Sequence, residues 1–353
     1  MKKKSDTIFS GNNILEELKI FLQAQKDREI VLITDDHVRS YCLPKIESYF
    51  QPALILSLPP GEKQKNINRV TTFCQSMTAH DISRDALIIN LGGGVVTDLG
   101  GFVASIYKRG VAFINIPTTI IGQIDAAIGG KNGINLGHTK NQIGVINWPL
   151  STWCCPEFLT TLPEHEWVSA KGELLKYVLI GCNISLDSIE HIEKNIPDNN
   201  ISGLVSEATR FKKMIIDKDP YEQHIRQILN FGHTIGHAIE AAMSEKETPV
   251  SHGEAVAAGI ICESFIASKI NDFPYRQIKD IEQFYRNNFP AIPLDHDSIK
   301  IIAGYTLFDK KRQNKKLCCV LLDKEGIPQT NCHITTDQVN EALHYFFNNF
   351  VTR

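Results

Sequence analysis

The sequence predicts two domains, an α/β N-terminal domain built on a parallel sheet and then a mostly α-helical C-terminal domain. Three observations carry that expectation. The chain has 353 residues, more than one compact core accommodates. In its N-terminal half, short apolar runs alternate with amphipathic stretches, as repeated βα units do. From about Pro163 onward the strand signal fades and long helical patterns take over. The expected division is therefore 1–150 and 151–353.

Taken in order, Ile30-Val31-Leu32-Ile33-Thr34 reads as a buried strand ending at Asp35-Asp36. Ala53 to Leu56, Ala86 to Leu91 and Ala112 to Ile116, the last stopped by Pro117, read the same way. Lys65 to His80 has the spacing of a crossover helix, and a further helical pattern covers Leu99 to Tyr107. A sheet of this kind binds ligands beyond the carboxyl ends of its strands. In the second domain, helices are expected over Glu166 to Ile180, Ile201 to Asp217, Gly232 to Met243 and Gly253 to Ile270. Val320-Leu321-Leu322 reads as a late strand, so this domain is not purely helical.

Hydrophobic residues make up 42% of the chain and charged residues 22%, a soluble globular balance. The formal net charge of -3 gives no reason to expect a nucleic-acid partner. Met1-Lys2-Lys3-Lys4 is not followed by an apolar run of signal-peptide length. No stretch approaches the roughly 20 apolar residues that span a bilayer. A cytoplasmic location without a membrane partner is the expectation. Nine cysteines lack CxxC spacing, and the adjacent pairs Cys154-Cys155 and Cys318-Cys319 suit neither a disulfide framework nor a zinc knuckle. Reduced thiols are expected.

The motifs with chemistry begin at Leu91-Gly92-Gly93-Gly94-Val95-Val96-Thr97-Asp98, between a strand and a helix. Glycines there let a backbone approach a pyrophosphate at a helix N-terminus. The run is not GxGxxG, and a plain tight turn is an equal reading of it. Asp98 falls in the first helical turn, where capping is its ordinary role. Next come Pro117-Thr118-Thr119, Asp125, Gly129-Gly130-Lys131-Asn132-Gly133 and Lys140-Asn141. Lys131 in an open, glycine-rich backbone is either a solvated surface lysine or a point charge for phosphate or carboxylate. Lys140-Asn141 moves the balance toward an anionic substrate.

His233 and His237 are spaced i, i+4 on one helical face, but the glutamate of HExxH is missing, which argues against a zinc protease. Ser251-His252-Gly253-Glu254 opens the next helix with a third imidazole. Glu173 and Lys176 stand i, i+3 in Gly172-Glu173-Leu174-Leu175-Lys176-Tyr177. One carboxylate and two histidines with an open position make a catalytic zinc set. The ordinary reading of the Glu–Lys pair is a helix-stabilising ion pair worth about 0.2–0.5 kcal/mol. Around these lie Arg109, Lys212, Arg226 and the cluster Asp309-Lys310-Lys311-Arg312, cations suited to a multiply anionic substrate or simply to a solvated face.

Read together, PGEKQK, GGGVVTDLGGFVAS, RG, PTT, DAAIGGKNGIN, KNQIG, EFLTTLP, GELLKY, LNFGHTIGHAIE and HGEAVAAG, from about Asp35 to Leu322, resemble the 3-dehydroquinate synthase family of the sugar-phosphate cyclases. The resemblance implies a Rossmann-like NAD domain, a helical metal-binding domain and a site in the cleft between them. It implies that Asp35, Glu62, Lys65, Gly93, Gly94, Asp98, Thr118, Thr119, Phe158, Thr161 and Leu162 line NAD, with Lys131 and Lys140 near the cofactor. Glu173, His233 and His252 would hold zinc, or cobalt in its place. Asp125, Lys131, Asn141, Lys176, Lys212, Arg226, Asn230 and His237 would meet the substrate, with Arg109 supplied across a homodimer interface. Lys310 and Lys311 remain alternatives for a phosphate-binding lysine. Thr97 replaces a glycine of GGGVxGD, Asn132 stands where GGKT has threonine, and His37 occupies a position often held by Asn.

The implied activity is a carbon–oxygen lyase of the shikimate pathway of aromatic amino acid biosynthesis. It converts 3-deoxy-D-arabino-heptulosonate 7-phosphate to 3-dehydroquinate and phosphate. The steps are transient oxidation by NAD, β-elimination of phosphate, return of the hydride and intramolecular aldol closure. Three rivals stand beside it: a cyclase acting on a neutral sugar phosphate, a metal-dependent alcohol or glycerol dehydrogenase, and a nucleotide-binding regulator without catalysis. Arg226 and Asn230 argue against the first, because a guanidinium suits a substrate carboxylate.

Overall fold

A computed structural model describes residues 6–137, 139–192, 200–244, 250–306 and 317–351. The chain forms two compact units, the first made of Met1–Pro163 with Lys194–Tyr221 and the second of Glu164–Glu193 with Glu222–Arg353. The expected boundary at residue 150 falls inside the first unit, because the sheet takes one more strand after it.

The first unit holds strands β1 (Ile8–Ser10), β2 (Ile30–Asp35), β3 (Leu54–Leu58), β4 (Leu87–Gly92), β5 (Ala112–Pro117) and β8 (Thr152–Cys154), while β6 (Lys131–Leu136) and β7 (Thr139–Ile146) form a separate hairpin. The six-stranded sheet has the order β1-β8-β5-β4-β2-β3, and its pairings are parallel. Strands β2 and β4 are buried along nearly their whole length, as apolar runs covered on both faces must be. Helices α1 (Ile14–Gln23), α2 (Asp36–Tyr41), α3 (Ile67–Ala79) and α4 (Gly94–Ile106) connect the strands. One core of Val31, Ile33, Val70, Phe73, Ile88, Leu99 and Phe113 fills one side. Leu18, Leu32, Ile89, Ile114, Trp153 and Phe158 belong to a second. The chain leaves β2 for β3 on one side and returns to β4 on the other, so the topological switch point lies between β2 and β4.

The four long strands lie within two residues of the expected runs. Strands β1 and β8 have only three residues each, too short for a periodicity to register. Helix α4 begins at Gly94, five residues before Leu99, because Gly93 is extended and its carbonyl accepts the first helical bond from Thr97 N–H. Glycines have poor helix propensity, which hides such a start from a propensity reading.

The second unit holds α5 (Glu164–Leu179) and α6 (Leu186–Glu190). Helix α7 (Asn200–Lys218) belongs to the first unit, where it packs on β1 and on the turn at Gly122–Ala126. The second unit continues with α8 (His233–Met243), α9 (His252–Ile270), α10 (Tyr275–Asn288), α11 (His296–Thr306), the antiparallel hairpin β9 (Leu317–Leu322) and β10 (Pro328–Ile334), and α12 (Thr336–Phe350). Helix α9 is buried on all sides from Ala255 to Ala267, and α5, α8, α10 and α12 pack around it. Among the described residues no helix is long and apolar enough to cross a membrane. None of the nine cysteines is joined in a disulfide, and burial pushes the Cys42 thiol up to about 11.

Candidate active site and metal centre

Within the first unit, the residues expected around a dinucleotide gather at the switch point. Asp35 ends β2 and caps α2, its carboxylate accepting Val38 N–H at 2.9 Å. Gly93 and Gly94 open α4, whose N-terminus carries no side-chain cap. A Cβ on Gly93 would press on Thr119 Cγ2 at 3.0 Å, and one on Gly94 would meet Ala126 Cβ at 3.1 Å, so the turn seats tightly on the segment after β5. Thr118 N–H donates to Gly92 O at 3.1 Å, and Thr119 Oγ1 accepts Gly122 N–H at 3.1 Å. A helix N-terminus at the switch point of a parallel sheet fits a pyrophosphate.

Beside it Lys65, 4% exposed, donates to Asp98 Oδ2 at 2.5 Å and to Asn141 Oδ1 at 2.6 Å. Glu62 accepts from Asn135 Nδ2 at 2.9 Å, and Asn135 Oδ1 accepts Asn141 N–H at 2.9 Å, which ties the β6–β7 hairpin to this cluster. Asn141 holds φ 52, a left-handed conformation that Asn tolerates. Asp98 is not the cap that its ordinary reading made it. With α4 starting at Gly94, it lies beyond the first turn and pairs with Lys65 instead. Lys131 and Lys140 are exposed on the hairpin.

A further pair was invisible in the sequence. Lys212 on α7 donates to Asp125 O and to Asp125 Oδ1, both at 2.6 Å. The ring of Phe158 lies in the sheet core, with Thr161 exposed and Leu162 half-buried nearby in the chain. Arg109 is exposed in a turn where Lys108, Arg109 and Gly110 all have positive φ.

The three departures are each accommodated. Thr97 is 1% exposed and satisfies its hydroxyl on Gly94 O at 3.2 Å. Asn132 donates to Gly130 O at 2.9 Å and to Asn147 O at 2.8 Å, bracing the turn that carries Lys131. His37 is exposed in the first turn of α2.

In the second unit, three helices converge because glycines let their backbones touch. A Cβ on Gly253 would lie 1.6 Å from Ser169 O, and one on Gly172 would lie 2.0 Å from Gly253 O, so α5 and α9 meet beside Glu173 and His252. A Cβ on Gly259 would lie 2.0 Å from Gly232 O, which brings the start of α8, and with it His233, against α9. Glu173, fully buried, places one oxygen, Oε1, 3.1 Å from His233 Nε2 and 2.9 Å from His252 Nε2. Lys176 Nζ stands 2.5 Å from the other oxygen. Both members of that pair are at most 1% exposed, so this is a buried ion pair and not a solvated helix pair.

The far nitrogens of both rings are anchored. His233 Nδ1 lies 3.0 Å from Phe231 O, and His252 Nδ1 lies 3.2 Å from Glu240 Oε2. Burial alone would raise the Glu173 carboxyl, but Lys176 and His233 hold it well below the usual carboxylate range. Burial also depresses His233 despite Glu173, whereas Glu240 and Glu173 overcome it at His252 and push that imidazole up to about 10.

This donor set fits a divalent cation. Tetrahedral bonds of about 2.0–2.1 Å require donors roughly 3.3 Å apart, close to the separations seen here. His237 stands beside the set, its ring centroid 5.1 Å from that of His233, and donor atoms of His233, His237 and His252 lie within 4.8 Å of one another. Arg226, 2% exposed, and Asn230 lie on the 3-10 segment Ile225–Asn230 that precedes α8. Asn230 Nδ2 donates to Glu222 Oε1 at 2.7 Å. Lys310 and Lys311 lie outside the described residues.

Glu240 and Glu263 were missed in the sequence. Glu240 shares a helical face with His233 and His237 at i, i+4 and i+7, a spacing that was there to be read. Glu263 sits in the apolar run of α9, fully buried, and accepts N–H bonds from Gly232 at 2.7 Å, Thr234 at 3.0 Å and Ile235 at 3.2 Å. A carboxylate alone in an apolar helix demands such partners.

The family models for the N-terminal and C-terminal parts of 3-dehydroquinate synthase match residues 55–169 and 170–312. A 3-dehydroquinate synthase from Parabacteroides distasonis is 33% identical over 341 residues, covering 96% of this chain and 97% of that protein. One from Chlamydia abortus is 40% identical, with 89% and 88% covered. Among solved structures, 2-deoxy-scyllo-inosose synthase complexed with carbaglucose-6-phosphate, NAD+ and Co2+ superimposes with a TM-score of 0.79 at 25% identity, covering 96% of each chain. The 2-epi-5-epi-valiolone synthase of Streptomyces hygroscopicus, with NAD+ and Zn2+ bound, shares the fold with a TM-score of 0.83 at 23% identity over 99% of this chain and 98% of that one. By sequence over nearly its whole length, this chain belongs to the 3-dehydroquinate synthase family.

Proposed function

We propose that the protein is a 3-dehydroquinate synthase that uses NAD and a divalent metal, zinc or cobalt, to turn 3-deoxy-D-arabino-heptulosonate 7-phosphate into 3-dehydroquinate and phosphate. The observation that carries this reading is the convergence of His233 Nε2 and His252 Nε2 on one oxygen of the buried Glu173, within 3.1 Å. Glu173, His233 and His252 hold the metal, and the residues at the switch point, with Lys65 and Asp98, hold NAD. When bound, NAD supplies a reversible hydride acceptor and the cation a Lewis acid for a substrate hydroxyl.

The chain's own residues bind and orient the substrate. Lys131, Asn141, Lys212 and Arg226 take its phosphate and carboxylate, so that the C6–H and the leaving phosphate are aligned for elimination. The guanidinium of Arg226, buried at 2% exposure, suits a substrate carboxylate better than a neutral sugar. His237 is exposed at the edge of the donor set and handles a proton at the hemiketal hydroxyl. Arg109, exposed in its strained turn, serves a second copy of the chain in a homodimer.

The test is incubation of the purified protein with the heptulosonate phosphate, catalytic NAD and Zn2+. The expected result is one phosphate per carbocycle without net NADH. NADH in proportion to product would select a dehydrogenase, and turnover of a neutral sugar phosphate alone would select a cyclitol-forming cyclase. Replacing Glu173, His233 or His252 by Ala should abolish stoichiometric metal, and full occupancy in all three variants by elemental analysis would refute the ligand set.

A further inference from the structure

The ring of His252 lies between two carboxylates. Its Nε2 faces Glu173 Oε1 at 2.9 Å, and its Nδ1 faces Glu240 Oε2 at 3.2 Å. Glu240 is on α8, three residues after His237, and is 8% exposed. The backbone of His252 is held as well. Ser251 Oγ accepts Glu254 N–H at 3.4 Å and Ser251 N–H donates to Glu254 Oε2 at 2.7 Å, a capping box that sets where α9 begins. With the backbone fixed, what remains free is the rotation of the ring and the choice of tautomer.

An imidazole that offers the Nε2 lone pair to a cation carries its proton on Nδ1. A carboxylate facing that Nδ1–H selects this tautomer, opposes a ring flip and makes Nε2 a stronger donor. His233 has only a neutral backbone carbonyl, Phe231 O, on its Nδ1. The anionic partner is therefore placed on the more exposed of the two ligands, with side-chain exposures of 32% for His252 and 9% for His233.

We propose that Glu240 is a positioning residue for the metal centre, acting through His252. This rests on the ligand set assigned above. Glu240 touches neither substrate nor cation. It fixes His252 as an Nε2 donor with Nδ1–H and adds a second negative charge behind the site.

The experiment compares the full-length wild-type protein with Glu240→Gln and Glu240→Ala by chelator competition for Zn2+, by the visible spectrum of the Co2+ form, and by nitrogen-15 NMR of the His252 ring. Glu240→Ala should weaken Zn2+ binding by roughly 10- to 100-fold, with Glu240→Gln, which keeps an oxygen acceptor, in between. The Co2+ bands should shift in both variants while the unfolding midpoint of the metal-free Gln variant stays near that of the wild type. A merely structural role would lower the midpoint and leave the spectrum alone. Affinities within twofold of wild type in both variants, or a His252 ring bearing its proton on Nε2 in the Zn2+ form, would overturn the role of Glu240 and leave the ligand set standing. Failure of the wild type to take up stoichiometric Zn2+ would defeat the ligand set, and the role of Glu240 with it.

Discussion

Lys176 and Glu173 are one helical turn apart, and the same spacing on a surface contributes a few tenths of a kcal/mol. Here both are buried, with 2.5 Å between Nζ and Oε2. Removing the ammonium takes the strongest partner charge from a buried carboxylate, at a cost of about 3 kcal/mol. Lys176→Ala should therefore lower the unfolding free energy of the metal-free protein by about that much in urea, and a loss under 1 kcal/mol would show the pair to be solvated. A sequence displays the spacing of such a pair but not its burial, since burial comes from α9 packing on α5 and from His233 at the start of α8. Asp98 teaches the same lesson in reverse. Its position near a helix start suggested a cap, and Lys65, 33 residues away, claimed it instead.

At the scale of elements, glycines decide how the helices that carry Glu173, His233 and His252 meet. Gly253→Ala places a methyl 1.6 Å from a backbone carbonyl, and neither backbone can yield without parting α5 from α9. The expected result is destabilisation of about 1–3 kcal/mol or more, together with weakened Zn2+ binding, by denaturant unfolding and metal titration. Gly304→Ala on α11, with nothing within 4 Å of its Cβ, is the control and should stabilise by about 0.5–1 kcal/mol.

The hairpin β9–β10 carries a pH dependence of its own. In its turn the Asp323 carboxylate accepts Ile327 N–H at 3.0 Å, Glu325 N–H at 2.9 Å and Gln329 Nε2–H at 2.9 Å, which holds its pKa below the usual value. Stabilisation from this group is present above the unfolded pKa of about 3.9 and is lost as the pH falls through the folded one. Amide exchange in the turn should quicken on acidification, and Asp323→Asn should remove that dependence. Exchange that ignores pH in the wild type, once corrected for intrinsic rates, would contradict it.

For the molecule as a whole, the first unit is discontinuous in the chain. Helix α7 belongs to it, bringing Lys212 to Asp125 and Thr209 to Ser10, whose hydroxyls are 3.0 Å apart. A polypeptide of residues 1–163 alone should fold poorly, and joining 200–221 to it should restore a cooperative melt in circular dichroism. Equal stability of the two would mean that α7 adds little. A linear reading assigned α7 to the helical second domain because composition reports the type of an element and not its neighbour.

Local pattern sufficed for the long parallel strands and most of the helices, since apolar periodicity is written residue by residue, whereas the grouping of Glu173, His233 and His252 was implied by the family resemblance. Tertiary structure alone decided that one carboxylate oxygen faces both imidazoles, that Glu240 stands behind one of them, and that α7 returns to the sheet. The first depends on backbone contacts between glycines far apart in the chain, and all three join residues that no local window of sequence contains together.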